Sequence, residues 1–390
     1  MNKIMHGNEK IPVMFAINYA LSRGEGRSRI LLEYARGLDH NKFQISILQF
    51  EGSRFSVLTE EEIINYTAAD KLYTLKSNDV PLLPLYSRGI IGYLLTVLLQ
   101  PFLFRIRRKE INRMIGRENM VVYLFENNLT FLFGKEKTLI GSTHSWNLSN
   151  IGILKKINIG VRVKLWGINY FHVFPQFRNA LPLLKPHKYL IMGNGVDANT
   201  YVPGTRVKKD SVRILYVGRL EKCKGIIFFL KVAEAFKDND SLIFTVVGSG
   251  TLRGYVESVS QKYTNIKYLG SVDDKQLVEL YQDSLLLLFP SNCDTFGMAV
   301  LEALSCGTRV LGSEKLASVF QQAADRGYFT PLPNDVLSYV ENINSAVKNA
   351  DAIENDRVKQ HEFVAGEYSW RTLMEKLDEF LTSVSGDMTV

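Results

Sequence analysis

The chain is poor in cysteine, with three in 390 residues: Cys223, Cys293 and Cys306. The count is odd and no Cys-x-x-Cys or Cys/His spacing accompanies it, which argues against a disulfide framework and a zinc site. Three reduced thiols fit a cytoplasmic protein. Long apolar runs are also lacking. The longest strongly apolar stretch, Gly89 to Phe104, falls short of the ~20 residues a spanning helix needs, and it contains Gln100 and Pro101. Because Arg105, Arg107, Arg108 and Lys109 follow at once, residues 89–109 have two readings. One is a buried helix. The other is an interfacial segment at the inner face of a membrane, its basic end on anionic headgroups. No Lys/Arg block interleaved with aromatics suggests a nucleic-acid partner. Met1 to Lys10 is polar and short, unlike a signal peptide. There is no low-complexity tract and no fixed-period repeat.

What is present is material for two cores. Hydrophobic residues make up 46% and charged residues 22%, within the range of globular proteins, and the length suggests two domains. A formal net charge of +7 favours anionic partners such as phosphate-bearing ligands.

Strand and helix patterns alternate. Ile11 to Asn18 and Phe43 to Phe50 read as strands, and between them Ile30, Leu31, Tyr34, Ala35 and Leu38 form a helical stripe. Further strands are expected at Met120 to Phe125, Thr138 to Ser142 and Tyr189 to Met192. The second half repeats the alternation: strands at Val212 to Val217, Leu242 to Val247, Leu285 to Phe289 and Arg309 to Gly312, with helices at Gly225 to Phe236, Lys275 to Asp283 and Met298 to Ser305. Strands apolar on both faces imply parallel sheets covered by helices, hence two Rossmann-like α/β domains. Residues 1–200 are assigned to the first and 201–371 to the second. The turn-rich stretch Asn194 to Asp210 marks the boundary, and a C-terminal helix of about 372–390 returns to the first domain.

Two segments carry chemistry. In Pro290 to Gly307 (PSNCDTFGMAVLEALSCG) a buried strand runs through a loop into a helix expected to open near Thr295. A helix start offers free N–H groups and a positive dipole end to a phosphate. Asp294 reads either as a helix N-cap or as an acceptor for sugar hydroxyls, and Glu302 either as a solvated helix residue or as a second such acceptor. In Val217 to Gly225 (VGRLEKCKG), Arg219 and Lys224 are either two surface cations or a pair converging on one anion.

Together these segments resemble the retaining glycosyltransferases of the family-4 type, which have the GT-B fold: two Rossmann-like domains whose parallel sheets face a central cleft. The acidic motif of that family reads E-x-F-G-x-x-x-x-E-A-x-x-x-G. This chain has Asp294-Thr295-Phe296-Gly297, then Glu302-Ala303 and Gly307, in register. The family's V-G-R-L-x-x-x-K-G is met at Val217 to Gly225. Weaker matches follow in order at Asn194-Gly195-Val196-Asp197, Val247-Gly248-Ser249-Gly250, Leu269-Gly270 and Tyr368-Ser369-Trp370. In the first half, Ser22 to Arg27 resembles the family's glycine-rich loop, with Gly24 and Gly26, and Thr143-His144-Ser145 resembles its T-H-D.

The resemblance implies catalytic roles for Arg219, Lys224, Asp294 and His144. It implies donor contacts from Gly24, Gly26, Gly218, Gly248, Leu269, Thr295, Phe296, Gly297, Met298 and Glu302. Asp294 departs from the family's Glu and is one methylene shorter, which puts the donor sugar's identity in doubt. The expected reaction moves a hexose, with retention, from a UDP- or GDP-sugar to a hydroxyl of a glycan, a lipid-linked glycan or another acceptor. No metal or cofactor is expected. The alternatives are a catalytically weak sugar-nucleotide binder and an epimerase-like enzyme.

Overall fold

The computed structural model describes residues 10–22, 26–51, 56–75, 108, 111–116, 119–125, 129, 132–133, 137–143, 168–204, 211–294 and 296–387. His144, Gly24, Thr295 and the 89–107 stretch therefore lie outside the described residues. Among those described, no helix is long and apolar enough to cross a membrane. The chain divides into two compact units, residues 1–192 with 374–390, and residues 193–373.

Among the described residues the first unit has seven strands: β1 (Ile11–Ala16), β2 (Phe43–Phe50), β3 (Lys71–Leu75), β4 (Val121–Leu124), β5 (Thr138–Ser142), β6 (Tyr170–Val173) and β7 (Lys188–Ile191). Their order is β3-β2-β1-β4-β5-β6-β7, with every pair parallel. β3 and β6 carry too little apolar alternation to be read from sequence; each is set by the neighbour it hydrogen-bonds. The Gly26–Gly37 helix buries Ile30, Leu31, Tyr34 and Ala35, the stripe that its periodicity predicts. Phe15, Tyr34, Tyr123 and Phe125 form a buried aromatic cluster, with ring centroids 5.2 to 6.4 Å apart.

The C-terminal residues return to this unit. Lys42 pairs with Asp378. Asp387 receives Lys188 Nζ at 2.8 Å and the Tyr170 hydroxyl at 3.0 Å. The C-terminal helix expected at about 372–390 is Trp370–Gly386, and extended Ser369 separates it from a preceding helix, Ala350–Tyr368.

The second unit has six strands: β8 (Val212–Val217), β9 (Leu242–Val247), β10 (Ile266–Gly270), β11 (Ser284–Phe289), β12 (Arg309–Ser313) and β13 (Phe329–Leu332). The order is β10-β9-β8-β11-β12-β13, again all parallel. β11 is buried at every position because it lies between β8 and β12 with both faces covered. Pro331 is confined to edge strand β13, where its missing N–H costs no ladder bond. The order reverses direction between β8 and β11. In doubly wound sheets, ligands bind at such a switch point, outside the carboxyl ends of the strands.

Candidate functional site

β8 ends at Val217 and leads into Gly218 to Gly225. Three backbone bonds stitch this loop to the turn after β9: Gly218 N–H to Val247 O at 3.1 Å, Leu220 N–H to Ser249 O at 2.9 Å and Leu252 N–H to Leu220 O at 2.9 Å. The close approach requires glycine at 248. Its φ is +132°, and a Cβ there would overlap the Gly218 carbonyl. Tyr268 donates to the Gly248 carbonyl at 3.0 Å, and Leu269 beside it stands 48% exposed at the end of β10. Across the loop, Glu221 accepts the Thr251 hydroxyl at 2.8 Å.

Tyr216 fixes the loop from beneath. Its hydroxyl reaches the carbonyls of Arg219 at 3.1 Å and Lys224 at 3.3 Å. Burial first, and then the charge of Asp294, push this phenol far above its ordinary range, so it remains a donor. Arg219 itself is exposed. Lys222–Lys224 form one 3₁₀ turn closed by Gly225 at φ +79°. A Cβ at Gly225 would strike the backbone of Pro290, and Asn292 N–H donates to Cys223 O at 2.9 Å. The loops after β8 and β11 therefore abut, as their adjacent strands require.

That contact joins Lys224 to Asp294 in an ion pair, with the two side chains 16% and 17% exposed. Lys224 occupies Asp294 Oδ1, while Oδ2 is buried and has no hydrogen-bond partner among the described residues. A buried carboxylate oxygen without a donor is costly, and it is an acceptor well suited to a ligand hydroxyl. Asp294 does not cap the helix. The helix runs from Met298 to Ser305, as its apolar pattern predicts, and does not open at Thr295; Gly297 is its N-cap at φ +83°. Gly297 also abuts Phe289, which a Cβ would crowd.

Phe296 is 3% exposed, packed against Phe320 at 5.4 Å and backed by Gly193, so any ligand contact it makes comes from its backbone. Glu302 lies about one turn into the helix and is 6% exposed, which excludes the reading as a solvated residue. Tyr281, itself fully buried, donates to Glu302 Oε2 at 3.1 Å. Burial and then the Glu302 charge raise the Tyr281 hydroxyl well above its usual range, which keeps it a donor.

The far end of this helix is held from the Ala350–Tyr368 helix. Arg357 Nη2 donates to the carbonyls of Cys306 at 2.7 Å and Gln282 at 2.8 Å, and Gln360 Nε2 to Leu304 O at 2.8 Å. These bonds satisfy carbonyls that a helix C-terminus leaves open.

Other motifs have structural roles. Val196 N–H donates to Tyr368 O at 2.8 Å, and Trp370 packs over Gly195, so the Asn194–Asp197 and Tyr368–Trp370 segments meet. Asp197 accepts the Thr200 hydroxyl at 2.7 Å, a local turn bond. Gly26 opens the first helix, and a Cβ there would meet nothing within 4 Å. Tyr216, Tyr281, Glu221 and Arg357 were not foreseen from sequence. Only the position of Tyr216, two residues before Gly218 on a strand, offered a signal.

The family of glycosyl transferases group 1 matches residues 197–370. Residues 197–370 are thus similar to a group 1 glycosyltransferase domain. The match falls wholly within the second unit and covers Arg219, Lys224, Asp294 and Glu302. An uncharacterized glycosyltransferase of Methanocaldococcus jannaschii is 26% identical over 176 residues, 44% of this chain and 44% of that protein. A human phosphatidylinositol N-acetylglucosaminyltransferase component is 25% identical over 209 residues, 52% of this chain and 42% of that protein. The chain thus spans less than half the length of these relatives. The structure of Anabaena HepE in complex with UDP covers 96% of this chain and all of its own at a TM-score of 0.69 and 13% identity. At that identity the likeness establishes the fold, GT-B, which extends beyond the group 1 domain to both units.

Proposed function

We propose that the protein is a retaining hexosyltransferase that uses a UDP- or GDP-sugar, with its donor site in the group 1 domain. The observation that carries this reading is the Lys224–Asp294 pair, whose second carboxylate oxygen is buried without a partner among the described residues, a few positions before the Met298 helix start. In this reading Asp294 Oδ2 accepts a hydroxyl of the donor sugar and Glu302 accepts the ribose hydroxyls. Lys224, Arg219 and the amides of Gly297 and Met298 hold the diphosphate. The Gly218 and Gly248 turns and Leu269 line the nucleotide side, joined by the backbones of Thr295 and Phe296. The family resemblance alone supports the donor roles of Gly24 and Gly26 and the catalytic role of His144.

The anomeric carbon breaks its bond to the diphosphate oxygen and forms one to the acceptor hydroxyl oxygen on the same face. The departing phosphate takes the acceptor proton. The cations and amides stabilise the negative charge that grows on the leaving group, so no metal ion is needed. Asp294 in place of Glu is one methylene shorter, which leaves more room beside the sugar. A lipid-linked acceptor belongs in this proposal because of the basic end of residues 89–109, and it places the enzyme at the cytoplasmic face of a membrane. The human relative, whose name includes phosphatidylinositol, supports that choice.

Screening UDP- and GDP-hexoses for released nucleotide, with soluble glycan acceptors and with lipid-linked acceptors in anionic vesicles, tests the reading. One donor should turn over with acceptor dependence, and Lys224→Ala should slow that turnover by about 10²–10³-fold. Measurable nucleotide binding with no turnover of any donor would favour the sugar-nucleotide binder instead.

A further inference from the structure

Two thiols flank the ion pair at the centre of the site. Cys223 immediately precedes Lys224 and Cys293 immediately precedes Asp294. Both are exposed. The bond from Asn292 N–H to Cys223 O at 2.9 Å holds the two loops side by side, which brings Cys293, the residue after Asn292, next to Cys223. The other near neighbours of Cys293 are the Ser291 hydroxyl, with Oγ 3.9 Å from the Cys293 Sγ, and the charges of Lys224 and Asp294. Cysteines on loops joined by a backbone bond at this point are close enough for a small loop movement to bring them to disulfide geometry. The third cysteine, Cys306, is buried, and burial holds its thiol protonated far above the usual range, so it serves as an inert internal reference.

We propose that Cys223 and Cys293 form a reversible disulfide that closes directly over the Lys224–Asp294 pair, a redox-modification site within the donor-binding loops. The oxidant class is a low-molecular-weight disulfide such as oxidised glutathione. The Cys223 sulfur attacks it, forming a mixed disulfide and releasing one glutathione. The Cys293 sulfur then attacks the Cys223 sulfur, forming the internal disulfide and releasing the second. Two protein thiols are oxidised, one disulfide is reduced, and both thiol protons leave on glutathione. Burial, followed by the Cys223 hydrogen bond, pushes the Cys293 thiol up to about 11. Exchange at Cys293 therefore quickens as pH rises. Closing the thiols to bonding distance draws the two loops together and moves Lys224 and Asp294 with them. The consequence for donor turnover rests on the function proposed above; the existence of the bond does not.

The test treats the full chain with oxidised glutathione, alkylates remaining thiols and maps the peptides by mass. The expected result is a Cys223–Cys293 linked peptide, with Cys306 alkylated only after denaturation. Donor turnover should fall several-fold and return on adding dithiothreitol. In Cys223→Ser neither the linked peptide nor the loss should occur. A glutathione adduct without the internal link, or no reaction in the folded chain, would overturn the proposal. A linked peptide in a protein that turns over no donor even when reduced would count against the proposed function while leaving the disulfide standing.

Discussion

At the scale of single residues, the site depends on buried hydroxyls that direct charged groups. Glu302 is a carboxylate in a largely apolar layer, and Tyr281 satisfies one of its oxygens. A hydrogen bond to a charged acceptor contributes about 1.5–3 kcal/mol, so removing it should be felt at the ligand that Glu302 is proposed to hold. Tyr281→Phe should raise the donor KM about tenfold with kcat largely retained, because a contact equal in ground and transition states affects binding alone. A lowered melting temperature with unchanged KM would make Tyr281 merely structural. Tyr216 does comparable work for the Arg219 and Lys224 backbone. Neither tyrosine was legible beforehand, since a strand or helix tyrosine looks like any core aromatic until its hydroxyl has a neighbour.

At the scale of elements, glycines mark where loops must touch. Gly248→Ala would force a Cβ into the Gly218 carbonyl at a φ that side chains avoid, and the structure should lose about 1–3 kcal/mol. Gly254→Ala is the control. It lies in the Arg253–Lys262 helix with nothing within 4 Å of the added Cβ and should be neutral or mildly stabilising. Urea unfolding of both variants makes the comparison; equal midpoints would remove the claim that the β8 and β9 loops are glycine-dependent. Some element signals were readable and unused. Thr59 and Glu62 form a capping box at the start of Glu60–Thr67, and the T-x-x-E spacing is visible in the chain.

At the scale of the molecule, a buried histidine links the first unit's stability to pH. His172 is enclosed among Tyr34, Tyr123 and Phe174. Its Nε2–H donates to Met192 O at 2.8 Å, which leaves Nδ1 to accept the Tyr123 hydroxyl. Burial lowers its pKa to about 4 against the Met192 bond, which opposes the shift. The folded pKa is below the unfolded value of about 6.5, so the unfolded chain binds the proton first. Stability is therefore full above pH ~6.5 and declines as pH falls toward ~4, by roughly 3 kcal/mol. His172→Gln should flatten the melting temperature across this window relative to the native chain. An unchanged slope would mean that other groups carry the acid sensitivity.

The sequence alone determined the two α/β halves and most strands of the second unit, and it singled out Lys224, Asp294 and Glu302 as candidates, because apolar periodicity and short motifs are local properties of the chain. It did not determine what those residues touch. Lys224 and Asp294 are 70 positions apart; they meet because β8 and β11 became neighbours at the switch in strand order. The same neighbourhood brought Cys223 beside Cys293, whose scattered positions had looked unrelated. Of the two starts that the sequence offers for this helix, Thr295 and Met298, the fold takes Met298, with Gly297 at positive φ against Phe289. Periodicity is written along the chain, whereas partnership depends on which strands lie side by side, and only the folded sheet decides that.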